Sequence, residues 1–405
     1  MFQSFSDASE GAAGPDRLAL LRDAMSAAKV DAFLVPRADA HQGEYVAPRD
    51  ERLAWLTGFT GSAGFAIALA DRAAIFVDGR YTLQAELQVD PVFERLSLTD
   101  EPPSKWLGGV AGADAKIAYD PWLHPMAEVR RFESALPDGA ELTPLASNLI
   151  DDIWPDQPPA PAAAIRPQPE AFAGEASHLK RARLGETLAA EDVGAFVLTL
   201  PDSIAWLLNI RGGDIPRNPV PLVFAILRAG GAVTLFAEAE QIDGALREHL
   251  GREVSILPRA EFARALAALD GERVGLARGS CPVAIKTALD EAGADIVWRD
   301  DPCVLPKAKK NAVELEGART AHKRDGAAVA RFLRWLSDEA PNGELSEISI
   351  ARRLETERRA TNALLDISFD TISGSGPNGA IVHYQVTEAT DRTLAPGELM
   401  LVDSG

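Results

Sequence analysis

The chain has little cysteine, no long apolar run and no basic tract, and each absence removes a class of function. Two cysteines, Cys281 and Cys303, in 405 residues cannot build a disulfide framework. No Cys-x-x-Cys spacing offers a metal site. Such usage fits a reduced, cytoplasmic compartment. No stretch approaches about eighteen uninterrupted apolar residues, so no membrane span is expected. The N-terminus, Met1-Phe-Gln-Ser-Phe-Ser-Asp-Ala-Ser-Glu10, has neither the basic nor the apolar region of a secretory signal. The formal net charge is −19 and no basic tract reverses it, which argues against nucleic acid as a partner. The acidity is dispersed and reads as a solvated surface. No HExxH, GxSxG or P-loop pattern occurs, and His124, His178 and His249 lie far apart without ligand spacing.

What is present is a globular composition, 46% hydrophobic and 25% charged, in a chain too long for one ordinary core. Residues 1–15 are small and polar and are expected to form a disordered arm. An α/β domain is expected over 16–154. It opens with a helix carrying Leu18, Leu21, Met25 and Ala28 on one face. A buried strand, Asp31-Ala-Phe-Leu-Val-Pro36, follows, then an aromatic segment over 53–59. A hairpin of 65–69 and 73–77 is joined by Ala70-Asp-Arg72, and a trailing helix starts at Thr82. Six prolines between residues 155 and 169 predict a linker over 155–170 that makes no regular ladder.

Residues 171–305 repeat this order. A helix over 178–190 precedes Gly194-Ala-Phe-Val-Leu-Thr199, which matches Asp31 to Pro36. Ile204-Ala-Trp206-Leu-Leu-Asn209 matches Leu53-Ala-Trp55-Leu-Thr-Gly58. A second strand pair, 221–227 and 232–237, and a second trailing helix complete the copy. Two copies imply a duplicated α/β domain rather than a solenoid, which needs more of them.

Residues 306–405 open with Lys307-Ala-Lys-Lys310. A long helix over about 311–339 follows, with a break expected near Gly326 and with Leu315, His322, Phe332 and Leu336 on its packed stripe. Ser346, with Ser349 as a rival start, caps another helix reaching about Arg359. Two apolar runs end the chain. A glycine-rich turn, Gly374 to Gly379, feeds Ala380-Ile-Val382, read as a strand that delivers His383. Leu399-Met-Leu-Val402 delivers Asp403. A lone histidine after a strand, and an Asp-Ser-Gly turn, are by themselves better explained by local structure than by chemistry.

Eight stretches in order carry a resemblance. They are Asp39-Ala-His-Gln42 with Glu44-Tyr45, Gly58 to Gly64, Asp78-Gly-Arg-Tyr81, Ile204 to Gly212, Asn218-Pro219, Lys307 to Glu314, Gly376-Pro-Asn-Gly-Ala-Ile-Val-His-Tyr384 and Val402-Asp-Ser-Gly405. From about residue 17 onward the chain resembles the Xaa-Pro aminopeptidases (aminopeptidase P) in their long, three-domain cytosolic form. The resemblance implies two duplicated creatinase-N-terminal-like α/β domains, followed by the first part of a pita-bread metallopeptidase domain. It implies an enzyme that removes the N-terminal residue from peptides with proline second, and a homodimer as one assembly. It also implies two divalent metal ions, manganese by preference, held by carboxylates and a histidine; hard oxygen donors suit that metal. On this resemblance Asp403 is a metal ligand and His383 a substrate-binding group. The family's remaining ligands match nothing in these 405 residues, so no catalytic set is complete, the metals are not expected to bind stably, and the chain reads as a truncated, inactive piece. Arg80 and Tyr81 would edge the cleft without a catalytic role. The alternative is a non-catalytic dimerisation or binding module made of the two N-terminal domains. A prolidase or creatinase reading is disfavoured because those families carry one such domain.

Overall fold

The structure is a computed structural model and describes residues 2–6 and 9–405. Two six-stranded sheets carry the chain as far as Arg299. The spatial order in the first is Glu94–Ser97, Ala73–Val77, Gly64–Leu69, Ala32–Pro36, Lys116–Tyr119, Glu141–Pro144. Gly64–Leu69 runs antiparallel to both its neighbours, and the outer pairings are parallel. The second sheet repeats this: Val254–Leu257, Val233–Phe236, Phe224–Arg228, Ala195–Leu198, Arg273–Ala277, Asp295–Arg299, with the same alternation of sense. Identical strand order and sense in both units is what duplication of one α/β domain produces.

Local sequence explains the repeated core. Ala32–Pro36 and Ala195–Leu198 are buried along their whole length because helices cover both faces of each sheet. Leu18, Leu21 and Met25 of the Gly14–Ala28 helix form one face of that cover, packed with Phe33, Leu53 and Leu56. The segment over 53–59 is a short helix, Arg52–Thr57, closed by Gly58 at φ 78°. Its counterpart, Pro201–Leu208, is closed by Asn209 at φ 49°.

The two domains meet along a polar seam. His41 bonds through Nδ1 to the Thr199 carbonyl at 3.0 Å and stacks on Phe224 with ring centroids 4.4 Å apart. The amides of Val283 and Ala284 in the second domain donate to the carbonyls of His124 and Pro121 in the first.

Four expectations need correction. The first is the linker over 155–170, which was expected to be free of ladders. Arg166–Pro167 pairs antiparallel with Ile210–Arg211, and Ile165 is buried in the second core. Proline forbids only its own donation, and Pro167 sits at a strand end where that donor is not needed. The second is the arm over 1–15. Residues 11–15 already belong to helical structure, and Phe5 is buried against Ile348, Ala351, Tyr384 and Val386. The Phe2 amide donates to Glu355, Gln3 exchanges two hydrogen bonds with the Thr371 backbone, and the Phe5 carbonyl accepts from Glu388. An aromatic ring finds an apolar seat, and the backbone partners follow. Phe5→Ala is expected to cost about 2 kcal/mol, the transfer free energy of one buried ring. It should appear as lost hydrogen-exchange protection at residues 348–351 and 384–386; unchanged protection there would show that the arm adds nothing.

The third correction concerns the long helix. Ala312–Glu339 is unbroken through Gly326 and starts from Asn311, whose side chain accepts from the Val313 and Glu314 amides in a capping box. Its buried side chains, Ala328 and Phe332, lie in its second half, with Phe332 set against Ile350 and Leu354 of the Glu347–Arg359 helix. His322 and Leu315, expected on the packed stripe, are exposed. The fourth concerns the terminal strands. Met400–Asp403 pairs antiparallel with Ile372–Ser375, not with the run ending at His383. Gly376 takes φ 51° and Gly376–Ala380 coils into a 3-10 turn, so Ala380 to Val382 never extends into a strand. Among the described residues no helix is long and apolar enough to cross a membrane.

Candidate functional site

A cleft of about 550 Å³ opens where three parts of the chain meet. The first domain contributes Arg37, Glu44, Tyr45, Ser62 and Tyr81. The second contributes the loop carrying Arg217, and the C-terminal part contributes Asp370, His383, Gln385 and Asp403. Both residues singled out in the sequence, His383 and Asp403, therefore line one cavity.

The first-domain wall is set by two turns. At Gly61 a Cβ would lie 2.3 Å from the Phe59 ring, so only glycine lets the chain pass and place Ser62 at the rim. In Asp78-Gly-Arg-Tyr81 the Asp78 carboxylate accepts from the Arg80 amide, and the Asp78 carbonyl accepts from the Tyr81 amide. This turns Tyr81 inward at the head of the Thr82–Gln88 helix. The Arg80 guanidinium, hydrogen-bonded to Asp78, holds that carboxyl below its usual range. Tyr81 is buried, with its ring edge-on to Phe59. Its hydroxyl lies 2.5 Å from Ser62 Oγ and 2.9 Å from His383 Nδ1.

Arg37 ties the rim together. It donates to the Glu44 and Ser62 carbonyls and to Glu51. Burial pushes the Glu51 carboxyl up, and the Arg37 charge offsets part of that. Burial also raises the Tyr45 phenol. Opposite, Arg217 sits at φ 67° and donates to Asp370, Asp366 and the Phe2 carbonyl, drawing the second domain's loop onto the C-terminal part.

His383 is exposed and also in the left-handed region, at φ 56°. A non-glycine residue there is held by its surroundings. Behind it lies a buried carboxylate, Glu347, fully shielded from solvent. It accepts from the Ser375 amide at 2.6 Å, from the Ser375 hydroxyl, from Asn378 Nδ2 and from the Tyr384 hydroxyl. Asn378 and Tyr384 thus spend their polar groups on architecture. Burial pushes the Tyr384 phenol up to about 12.

Asp403 lies at the end of its strand, opposite Ile372, with its side chain exposed. Among the described residues no group of three or more His, Cys, Asp or Glu side chains could hold a metal ion. A single exposed carboxylate does not fit a two-metal centre. Sequence reading missed Ser62 and Arg217 as cleft residues and left Tyr81 at the edge. The signals were present in the Gly58 to Gly64 and Asp78 to Tyr81 stretches, but not which distant group each would meet.

Comparison with known proteins accords with this geometry. Residues 17–153 and again 156–314 match the Creatinase/Prolidase N-terminal domain, and residues 316–405 match metallopeptidase family M24. The solved X-prolyl aminopeptidase of Caenorhabditis elegans, described as a cytosolic enzyme with a di-nuclear active site, superposes with a TM-score of 0.90 at 29% identity. That match covers 97% of this chain and 67% of the other. Fold and cleft together define a protein of the creatinase/prolidase metallopeptidase class, with a doubled N-terminal domain. A probable Xaa-Pro aminopeptidase P of Neosartorya fischeri is 36% identical over 405 residues, covering 96% of this chain and 62% of that protein. One of Coccidioides posadasii is 36% identical over 406 residues, covering 96% and 66%. The chain belongs to the Xaa-Pro aminopeptidase P family, and it spans 62% and 66% of the length of these two relatives.

Proposed function

We propose that this chain is the substrate-positioning part of a cytoplasmic metallo-aminopeptidase that removes the N-terminal residue from peptides with proline second. The observation that carries the reading is the shared cleft, where His383 and Asp403 stand with residues of both N-terminal domains. His383 presents an imidazole able to donate to a peptide carbonyl, and Asp403 would supply one carboxylate to a metal site that the described residues do not complete, a hard oxygen donor of the kind that suits manganese. With one such carboxylate and no converging set among the described residues, the 405-residue chain by itself does not turn over substrate. The test is incubation of the purified chain with an Xaa-Pro peptide and added manganese. No cleavage is expected, and metal-dependent release of the first residue would sink the claim. A homodimer belongs to the same proposal, and a single-chain mass by light scattering would remove it.

A further inference from the structure

We infer that Ser62 and Tyr81 of the first domain are positioning residues that fix the orientation and tautomer of His383, holding it with the proton on Nε2. The inference rests on reading His383 as a substrate-side group, and the geometry is independent of that reading. Tyr81 Oη stands between two partners, Ser62 Oγ at 2.5 Å and His383 Nδ1 at 2.9 Å. It has one proton to give and can accept another. A phenol is a stronger donor than an alcohol, and an imidazole nitrogen lone pair is a stronger acceptor than a serine oxygen. The best arrangement pairs strongest with strongest: Tyr81 donates to Nδ1, and Ser62 donates to the Tyr81 oxygen. Nδ1 is then the unprotonated nitrogen, which leaves the proton on Nε2.

Three further features point the same way. Tyr81 is only 3% exposed, so its hydroxyl is steered by its neighbours and not by bulk water. Phe59 meets its ring at 83° and 5.7 Å, which fixes the ring plane. The Tyr81 and His383 rings meet at 85° with centroids 5.6 Å apart, so the imidazole is held by shape as well as by the hydrogen bond. The outside constraint also accounts for a histidine resting at φ 56°, a conformation that local sequence does not favour. The partners are 302 residues apart, so the first domain reaches across the cleft to set a group on the C-terminal part. The relay ends at a hydroxyl presented by the turn at Gly61, which ties that glycine to the state of the imidazole.

The experiment is nitrogen-15 NMR of the histidine side chains, with His383 assigned by His383→Gln. In the parent chain near neutral pH, Nδ1 should resonate in the unprotonated range and Nε2 in the protonated range. Tyr81→Phe keeps the ring and its packing but removes the hydroxyl, and should move both signals toward the average of exchanging tautomers. Ser62→Ala should move them the same way by less. A protonated Nδ1 in the parent, or signals unchanged in Tyr81→Phe, would overturn the inference. Titration with an alanyl-prolyl peptide separates the two claims. If the peptide shifts the parent's His383 signals and binds Tyr81→Phe about tenfold more weakly, both positioning and substrate role hold. If the parent's signals do not move, the substrate role fails while the tautomer result still decides the positioning.

Discussion

Glu347→Ala is expected to remove about 3–5 kcal/mol from the stability of the C-terminal part, the scale of several buried donors losing one shared acceptor. Glu347 is fully buried and accepts from a backbone amide, a serine hydroxyl, an asparagine amide and a tyrosine hydroxyl. Each buried donor left without a partner costs about 1–3 kcal/mol. Water entering the space recovers part of the sum, which is why the expected total is below the simple addition. The carboxylate also opens the Glu347–Arg359 helix, where the dipole favours negative charge. Glu347→Gln keeps one acceptor oxygen and should cost less than half as much. Urea denaturation followed by hydrogen exchange over residues 345–405 checks both variants, and an alanine variant within about 0.5 kcal/mol of the parent would refute the argument. There is a local consequence too. Asn378 holds the turn that leads to His383, so losing its acceptor should loosen the His383–Tyr81 contact before the N-terminal domains unfold.

The duplicated domains were legible because each copy writes the same local signals. A buried strand such as Ala32–Pro36 is a short apolar run, and the same run recurs at Ala195–Leu198 with a tryptophan-bearing helix after each. His383 and Asp403 were legible through motif resemblance, and both line one cleft. What was not legible depends on contacts distant in sequence. Phe5 looked like part of a frayed arm because its seat, among Ile348, Ala351, Tyr384 and Val386, lies more than three hundred residues away. Tyr81 was left at the cleft edge without a role because its partner is equally remote. The strand assigned to Ala380–Val382 failed for a local reason: three apolar residues cannot distinguish a strand from a turn, and the positive φ of Gly376 decides for the turn. His322 was placed on a packed stripe because periodicity shows which helix face is apolar, not how much of the helix finds a partner.

Acidification should weaken the seam between the two N-terminal domains through His41. The ring is fully enclosed, stacked on Phe224 and bonded through Nδ1 to the Thr199 carbonyl, while Nε2 is buried without a hydrogen-bond partner. A carbonyl only accepts, so Nδ1 carries the proton and the neutral ring is satisfied there. A second proton would have to sit on Nε2 with no acceptor. Burial, helped by the Arg259 charge, pushes the pKa down to about 4 from the ordinary 6.5. The folded chain therefore binds fewer protons than the unfolded chain between those values, so stability is full above about pH 6.5 and is lost as the pH falls toward 4. The difference corresponds to about 3 kcal/mol at the acid end of that window. Asp39 and Asp50, whose carboxyls burial pushes up, act with the opposite sign, since the fold favours their neutral forms. The parent's curve alone therefore mixes the two effects, and the measurement is the difference between the parent and His41→Gln, a side chain that can still donate to Thr199 but does not titrate. Urea midpoints from about pH 7 to about pH 4 should show the parent losing about 3 kcal/mol more than the variant, with the extra loss confined to the window below pH 6.5. Parallel curves would mean that the His41 ring is not what makes the seam sensitive to acid.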